Sequence, residues 1–468
     1  MQKDNSTRQY NELGEKPVGR LLLSYAIPAI IAMAASSVYN IIDGIFVGQG
    51  VGPAAIMGLA LCAPVMSLTA AFGAMVGVGG STLMSVRLGQ KDFRAAQDIL
   101  GNVVLMNIIM GLSLGIGLQL VLAPILRFFG ASDYTIGPAY EFMTIILTGN
   151  VVTHLYFGLN ALLRSTNRPK MAMYATFGTV GFNCLLAPLF IFVFHWGIRG
   201  AAAATVCSQF IMLLWQLRLF SDRNNVVHLK KSIMHLKWDI VKSSLTIGMP
   251  QFLINLCACL VAIVITRSMT MFGSHTEMGG DVAVGAYGIQ NRLILFVIMA
   301  VIGLNQGMQP IAGYNFGAKK YDRLMQVLRY AITFATVFTT IGWAVCLIFA
   351  TPLVSLFAKG SPALIAEAAR GLRINICTFP LVGMQIIVTA FFQSIGMAGK
   401  SIFLSLSRQL LFLLPLLLTL PYIFHNPVDG VWASLPISDT IAFIVALVML
   451  MSQIRKFKKN EIGAGMIQ

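Results

Sequence analysis

Read for polarity alone, the chain is a series of apolar runs, most of twenty residues or more, separated by short stretches rich in Gly, Pro, Lys and Arg. The runs fall at about 20–48, 54–86, 96–123, 138–162, 171–194, 198–219, 244–269, 283–312, 326–350, 368–394, 402–424 and 430–453. About twenty apolar residues cross a bilayer as a helix. Lipid offers the backbone no hydrogen-bond partners, so each crossing is a helix or belongs to a closed barrel. The strict alternation over ten residues that marks a barrel strand is absent. The pattern predicts an all-α polytopic membrane protein with twelve transmembrane helices.

The chain also repeats weakly. RLGQKDFRAAQ (87–97) matches NFGAKKYDRLMQ (315–326), with Gly89 on Gly317. APILRFF (123–129) matches TPLVSLF (351–357), ALLRS (161–165) matches AFFQS (390–394), and RGAAAATVCSQ (199–209) matches DGVWASLPISD (429–439). The offsets are 228 to 230, but 222 for Pro28 and Pro250, so an insertion in the loop GSHTEMGGD explains the jump. Six helices per half leave the two halves in the same orientation, a parallel repeat of the kind transporters use. The expected units are an N-terminal segment 1–19, a lobe 20–219, a linker 220–243, a second lobe 244–453 and a tail 454–468.

Charge orients the chain. With the N-terminus inside, 26 of the 33 Lys and Arg fall in inner segments, so both termini are expected in the cytoplasm and the loops at 49–53, 195–199 and 273–281 outside. The net charge of +16 is therefore topology, not a nucleic-acid surface. The linker FSDRNNVVHLKKSIMHLKWDIVKSS is basic and reads either as a plain connector or as an interfacial, lipid-binding stretch. Composition agrees: 57% of residues are hydrophobic and 11% charged, with mean hydropathy +0.78, against about 25% charged in soluble proteins. The seven cysteines show neither disulfide nor zinc spacing and read as small core residues. The polar N-terminus has no cleavable signal pattern.

Enzyme motifs fail in context. GLSLG (111–115) has the G-x-S-x-G form but lies mid-span with no strand before it. Gly111 and Gly115 read better as a small-residue packing face. GMAGKS (396–401) resembles the end of a phosphate loop, but Ser394 takes the first glycine position. The six histidines form no HExxH pair. No enzyme activity and no cofactor are expected.

Polar groups inside the spans remain. A charged side chain at mid-bilayer costs about 3 kcal/mol on insertion scales, so each is a candidate for function. Asp43 and Asp439 lie clearly within spans, and Glu141 near an outer end. Asp43 shares a helix face with Tyr39 and Asn40, at i−4 and i−3. It is either locked to a neighbouring helix or able to exchange a proton with water, as a proton-coupled carrier requires. In the repeat, Asp43 falls on Ile265, and Asp439 on Gln209. Arg292, inside the eighth span, needs a partner, and Asp439 is one option. Asn255 and Gln306 complete the polar positions of a substrate cavity.

Whole strings then resemble one family. SVYNIIDGIFVGQGVGPAAIMGLALCAPV, GLNQGMQPIAGYNFGAKKYDR (303–323), GIRGAAAATVCSQ and FFQSIGMAGKS are similar to segments of the multidrug and toxic compound extrusion (MATE) family, the eighth-helix string most to its DinF-type branch. The resemblance spans about 17–459. It implies two six-helix lobes in a V, and export of amphipathic or cationic drugs and toxic compounds against inward H+ or Na+. It further implies a monomer in a bacterial plasma membrane. The cation site it implies lies in the N-terminal lobe, with Asp43 and Tyr39 from helix one, Asn183 from helix five and Thr205 from helix six. Asp43, Asn183 and Thr205 would be the ligands of a sodium ion. The family's N-x-x-x-D-P departs here to NCLLAP, with Ala187 in place of the second acid. One titrating carboxylate suits a proton better than sodium, which wants several hard oxygens. The many Met and Phe residues suit a promiscuous apolar surface. A flippase for a lipid-linked precursor is the alternative; it would need a cationic cavity, for which Arg292 and Arg408 are candidates.

Overall fold

The computed structural model describes residues 12–129, 131–274, 279–357 and 361–458, which contain helices and connecting turns but no strand. In chain order the helices are α1 (Val18–Gly50), α2 (Pro53–Gly89), α3 (Phe93–Leu120), α4 (Leu122–Phe128), α5 (Ile136–Thr148), α6 (Asn150–Ser165), α7 (Pro169–Pro188), α8 (Gly197–Ser221), α9 (Trp238–Gly273), α10 (Gly280–Gly317), α11 (Tyr321–Ile348), α12 (Ala350–Ser355), α13 (Pro362–Asn375), α14 (Phe379–Ser394), α15 (Ala398–Leu406), α16 (Leu414–Ile423) and α17 (Pro427–Lys458). Among the described residues, eleven spans are long and apolar enough to cross a membrane; the bent pair α5–α6 makes twelve. Part of the expected outer loop 273–281, residues 275–278, lies outside the described residues.

Hydropathy predicts one span at 138–162, and the structure bends it by 55°. The break is at Gly149, where the side chain of Val206 fills the space a Cβ would take. The next residue, Asn150, is buried and donates to the Gly111 carbonyl at 3.2 Å. Gly111 and Gly115 carry the close packing expected of them: a Cβ would lie 2.7 Å from Val151 Cα and from the Leu147 carbonyl, respectively. Two other spans widen into π-helical turns, at Leu189–Val193 after Pro188 and at Ser407–Leu413.

The distribution of buried apolar residues gives the shape. At the end where the Lys- and Arg-rich loops gather, one apolar core takes residues from both halves, among them Tyr25, Met84, Leu163, Ile247, Met308, Phe391 and Leu450. At the opposite end the core is double. One cluster draws only on the first half, with Val47, Phe142 and Ala201. The other draws only on the second, with Ile265, Leu372 and Trp432. The two halves are thus joined at the basic end and separate at the other, which is a V.

Small residues make the join, because apolar side chains gain little by leaving lipid for protein and close backbone approach must supply the contact energy. A Cβ at Gly248 would lie 1.8 Å from the Met75 carbonyl oxygen, and one at Gly79 would lie 1.8 Å from that of Ser244. The same contact recurs between α1 and α10. A Cβ at Gly303 would lie 2.7 Å from Ile30 Cα, and one at Gly307 2.7 Å from Ala26 N. The repeat registers carry Gly248 onto Ala26 and Gly79 onto Gly307. Gly89 and Gly317, also repeat mates, abut the carbonyls of Tyr314 and Val86. Leading segments cross between the halves as well. Asn315, Lys320 and Arg323 donate to the carbonyls of Leu13, Gly14 and Lys16, at 3.1, 2.9 and 2.6 Å.

Candidate cation-coupling site

Asp43 stands seven residues before the end of α1, beyond the joined end. Tyr39, one turn earlier on the same face, meets α8: its hydroxyl is 3.2 Å from Thr205 Oγ1. Asn183 of α7, itself buried, donates from Nδ2 to the same Thr205 oxygen at 3.1 Å. Thr205 in turn donates to the Ala201 carbonyl at 3.1 Å. A threonine hydroxyl has one proton and two lone pairs. Its proton goes to Ala201 and one lone pair to Asn183, so the Tyr39 hydroxyl must donate to the other. Thr205 is then saturated.

Asp43 makes no hydrogen bond to any of them. Its Oδ1 is buried without a partner. No Lys or Arg among the described residues pairs with it. A partly buried carboxylate with neither cation nor donor is costly, and the cost falls if it takes up a proton or a cation. A methyl added at the adjacent Gly44 would meet nothing within 4 Å, so the helix surface next to Asp43 is open.

Thr205 has no lone pair left for a metal ion, whereas the side-chain oxygen of Asn183 is not used by its contact with Thr205. Ala187, where a second acid would stand, is fully buried in the apolar cluster that contains Val47 and Ile191. A gap left by the missing acid is expected there; the position belongs instead to packed core.

The remaining polar candidates scatter. Gln209, one turn beyond Thr205, accepts from Thr153 Oγ1 at 2.6 Å and so extends the polar strip of α8 toward α6. The Asn40 side chain lies outside the described residues. Gln306 approaches Met33 Sδ at 3.8 Å, and Asn255 caps its own helix turn at the Gln251 carbonyl. Arg292 is exposed and does not pair with Asp439. Asp439 accepts instead from Arg408 Nε at 2.8 Å, and Ser438 Oγ donates to the Arg408 carbonyl. The π-turn begins at Ser407, which rearranges the backbone there and which sequence periodicity does not disclose.

This pair gives a direct prediction. Asp439→Asn leaves the Arg408 guanidinium uncompensated mid-span, at a cost of about 3 kcal/mol. The expected result is a lower thermal midpoint in detergent, largely recovered when Arg408→Leu and Asp439→Leu are combined. Unchanged midpoints in the single variant would show that the pair contributes nothing.

Sequence reading missed one acid. Glu367 is fully buried in α13 and accepts from Trp432 Nε1 at 2.9 Å. Hydropathy starts that span at 368, one residue too late. The signal was its spacing: Glu367 and Gly371 share a face, and Gly371 packs on the Trp432 ring.

Comparisons with known proteins follow the same lines. The MatE family model matches residues 28–189 and 254–419. The multidrug export protein MepA of Staphylococcus haemolyticus (strain JCSC1435) is 25% identical over 445 residues, 94% of each chain. A multidrug resistance MATE family transporter of the MOP superfamily, solved in an outward-facing conformation, superposes with TM-score 0.87 at 25% identity, covering 96% of this chain and 98% of that one. A MATE structure in the bent conformation reaches TM-score 0.90 at 24% identity, covering 97% and 99%.

Proposed function

The chain belongs to the MatE family of membrane transporters, and on that footing we propose that it is a proton-driven antiporter exporting amphipathic or cationic organic compounds, with Asp43 as its coupling group. The observation that carries the reading is the buried, unpartnered Oδ1 of Asp43 beside Tyr39 and Asn183, whose hydrogen bonds saturate Thr205. A relative named for multidrug export supports the substrate class.

The working cycle has two arrangements of the halves, and export is driven if proton and substrate each prefer a different one. With both termini cytoplasmic, as the basic loops favour, the join is the inner end and the V opens outward. In that arrangement Asp43 takes a proton from outside and releases its hold on a cationic substrate. Closing the outer mouth and opening the inner one lets the proton leave to the cytoplasm. Both steps need one copy of the chain.

Sodium coupling is the weaker alternative, because Thr205 has no oxygen lone pair to offer. The flippase reading is weaker too: Arg408 is engaged by Asp439, leaving Arg292 as its one supporting residue. The test is dye transport in vesicles under separately imposed gradients. A pH gradient in sodium-free buffer is expected to drive transport fully. Transport that needs sodium and ignores the pH gradient would refute the proton assignment.

A further inference from the structure

The linker between the halves is more than a connector. It is held on α3 by side-chain amides that act as a backbone ladder. Gln97 both donates to the His228 carbonyl and accepts from His228 N, the latter at 3.1 Å. Asn102 does the same one step on, donating to the His235 carbonyl at 3.3 Å and accepting from Lys237 N at 2.8 Å. Lys237 Nζ reaches Asp98 at 2.5 Å. Between these clamps the linker backbone lies directly on α3: a Cβ at Gly101 would fall 2.1 Å from the Ile233 carbonyl oxygen.

The ladder holds the linker backbone on α3 and leaves a run of its side chains exposed. Ile233 is buried, and 235 and 237 bind α3 through their backbones. Among the exposed side chains the apolar ones are Met234, Leu236 and Trp238, at 40%, 49% and 74%, with His235 and Lys237 exposed between them. Apolar side chains so presented, on a segment so firmly held, lose about 25 cal/mol for every Å² left in water. Around them Lys230, Lys231 and Lys242 are exposed, with Asp239 as the neighbouring acid.

Three features point to the bilayer as the occupant. Trp238 is the first residue of α9, a membrane-length helix, so the strip runs straight into a lipid-facing surface. Trp favours the headgroup level, where its ring is buried and its N–H is wet. Apolar side chains flanked by lysines match an interfacial segment seated among anionic headgroups. We propose that Met234, Leu236 and Trp238, with Lys230, Lys231 and Lys242, form a docking surface for the anionic headgroups of the leaflet that α3 and α9 enter. Because the strip is clamped to the first half and leads into the second, lipid bound there touches both halves at the join.

The test uses the full chain with its native cysteines replaced and Leu236→Cys labelled with an environment-sensitive fluorophore, in nanodiscs. Emission is expected to be several-fold brighter with phosphatidylglycerol than with phosphatidylcholine alone. Lys230→Gln, Lys231→Gln and Lys242→Gln should each weaken the response, by up to about fivefold for a lysine at the surface. A dim label in both lipids would overturn the proposal. So would equal brightness in both, unmoved by the lysine substitutions, which would mean apolar contact without headgroup recognition. Label protection that tracks dimer formation in detergent would assign the surface to a second copy and overturn it as well. If the cysteine-replaced chain fails to fold, hydrogen exchange of residues 230–240 in the unmodified chain gives the same contrast. Protection is then expected with phosphatidylglycerol, and equal exchange in both lipids refutes the proposal.

Discussion

Vesicles carrying Asp43→Asn should hold a cationic dye at the same concentration on both faces under a pH gradient that drives the native chain to concentrate it. One pH unit is worth about 1.4 kcal/mol per proton, so one proton per dye sustains a ratio of about ten. The variant is expected to fall to about one. Asparagine is nearly the size of aspartate and keeps polar contacts. Tyr39 gives its proton to Thr205, so its oxygen still has a lone pair for an amide donor at position 43. The variant should therefore fold and insert, with dye binding weakened because the carboxylate that holds the cation is gone. It cannot change charge, so the two arrangements no longer differ in proton affinity and the gradient has nothing to act on. An anchoring role predicts the opposite, because asparagine anchors as well as aspartate. A ratio that stays near ten in Asp43→Asn vesicles would remove Asp43 from the mechanism.

Much of the fold is written in the pattern of apolar runs, because lipid demands long helices and tolerates little else. Eleven of the twelve expected spans appear as long helices or near-continuous helical stretches, and the twelfth is the pair broken at Gly149. That break escapes hydropathy, since averaging over twenty residues hides one glycine under Val206. The repeat was legible from short strings. Its structural meaning was not: only the folded chain shows that Gly89 and Gly317 abut each other's helices.

The candidate site was partly legible. Asp43 stands out because a lone acid in an apolar run is costly. That Tyr39, Asn183 and Thr205 converge on one hydroxyl depends on helix packing across 22 and 166 positions, which a single sequence does not encode locally. The Arg408–Asp439 pair was hidden because two arginines and one acid allow more than one pairing, and a π-turn decided between them. The linker ladder was hidden for a related reason. Gln97 and Asn102 look like ordinary polar residues at a helix start until the backbone they pair with is in place.

The largest structural effect is expected from the smallest substitution. Gly248→Ala places a methyl 1.8 Å from the Met75 carbonyl oxygen and 2.7 Å from its carbon. Those are backbone atoms, so no rotamer change relieves the clash and α9 must move off α2. Overpacking of this kind costs about 2 kcal/mol or more, well above the roughly 1 kcal/mol that alanine gains over glycine in a helix. The cost falls only on the arrangement joined at the basic end. An alternative arrangement with that end parted escapes it, and 2 kcal/mol shifts a two-state population about thirtyfold. Spin labels at Val38 on α1 and Leu260 on α9, both exposed beyond the join, report the width of the open mouth. Their distance is expected to shorten in Gly248→Ala. Gly117→Ala is the control, because a methyl there meets nothing within 4 Å, and it should leave the distance unchanged. Gly307→Ala tests the mirrored contact against Ala26 and should shift the population in the same direction, because the pseudo-twofold makes the two contacts parts of one hinge. A native distance distribution in both Gly248→Ala and Gly307→Ala would mean that the glycine contacts do not hold the halves in this arrangement.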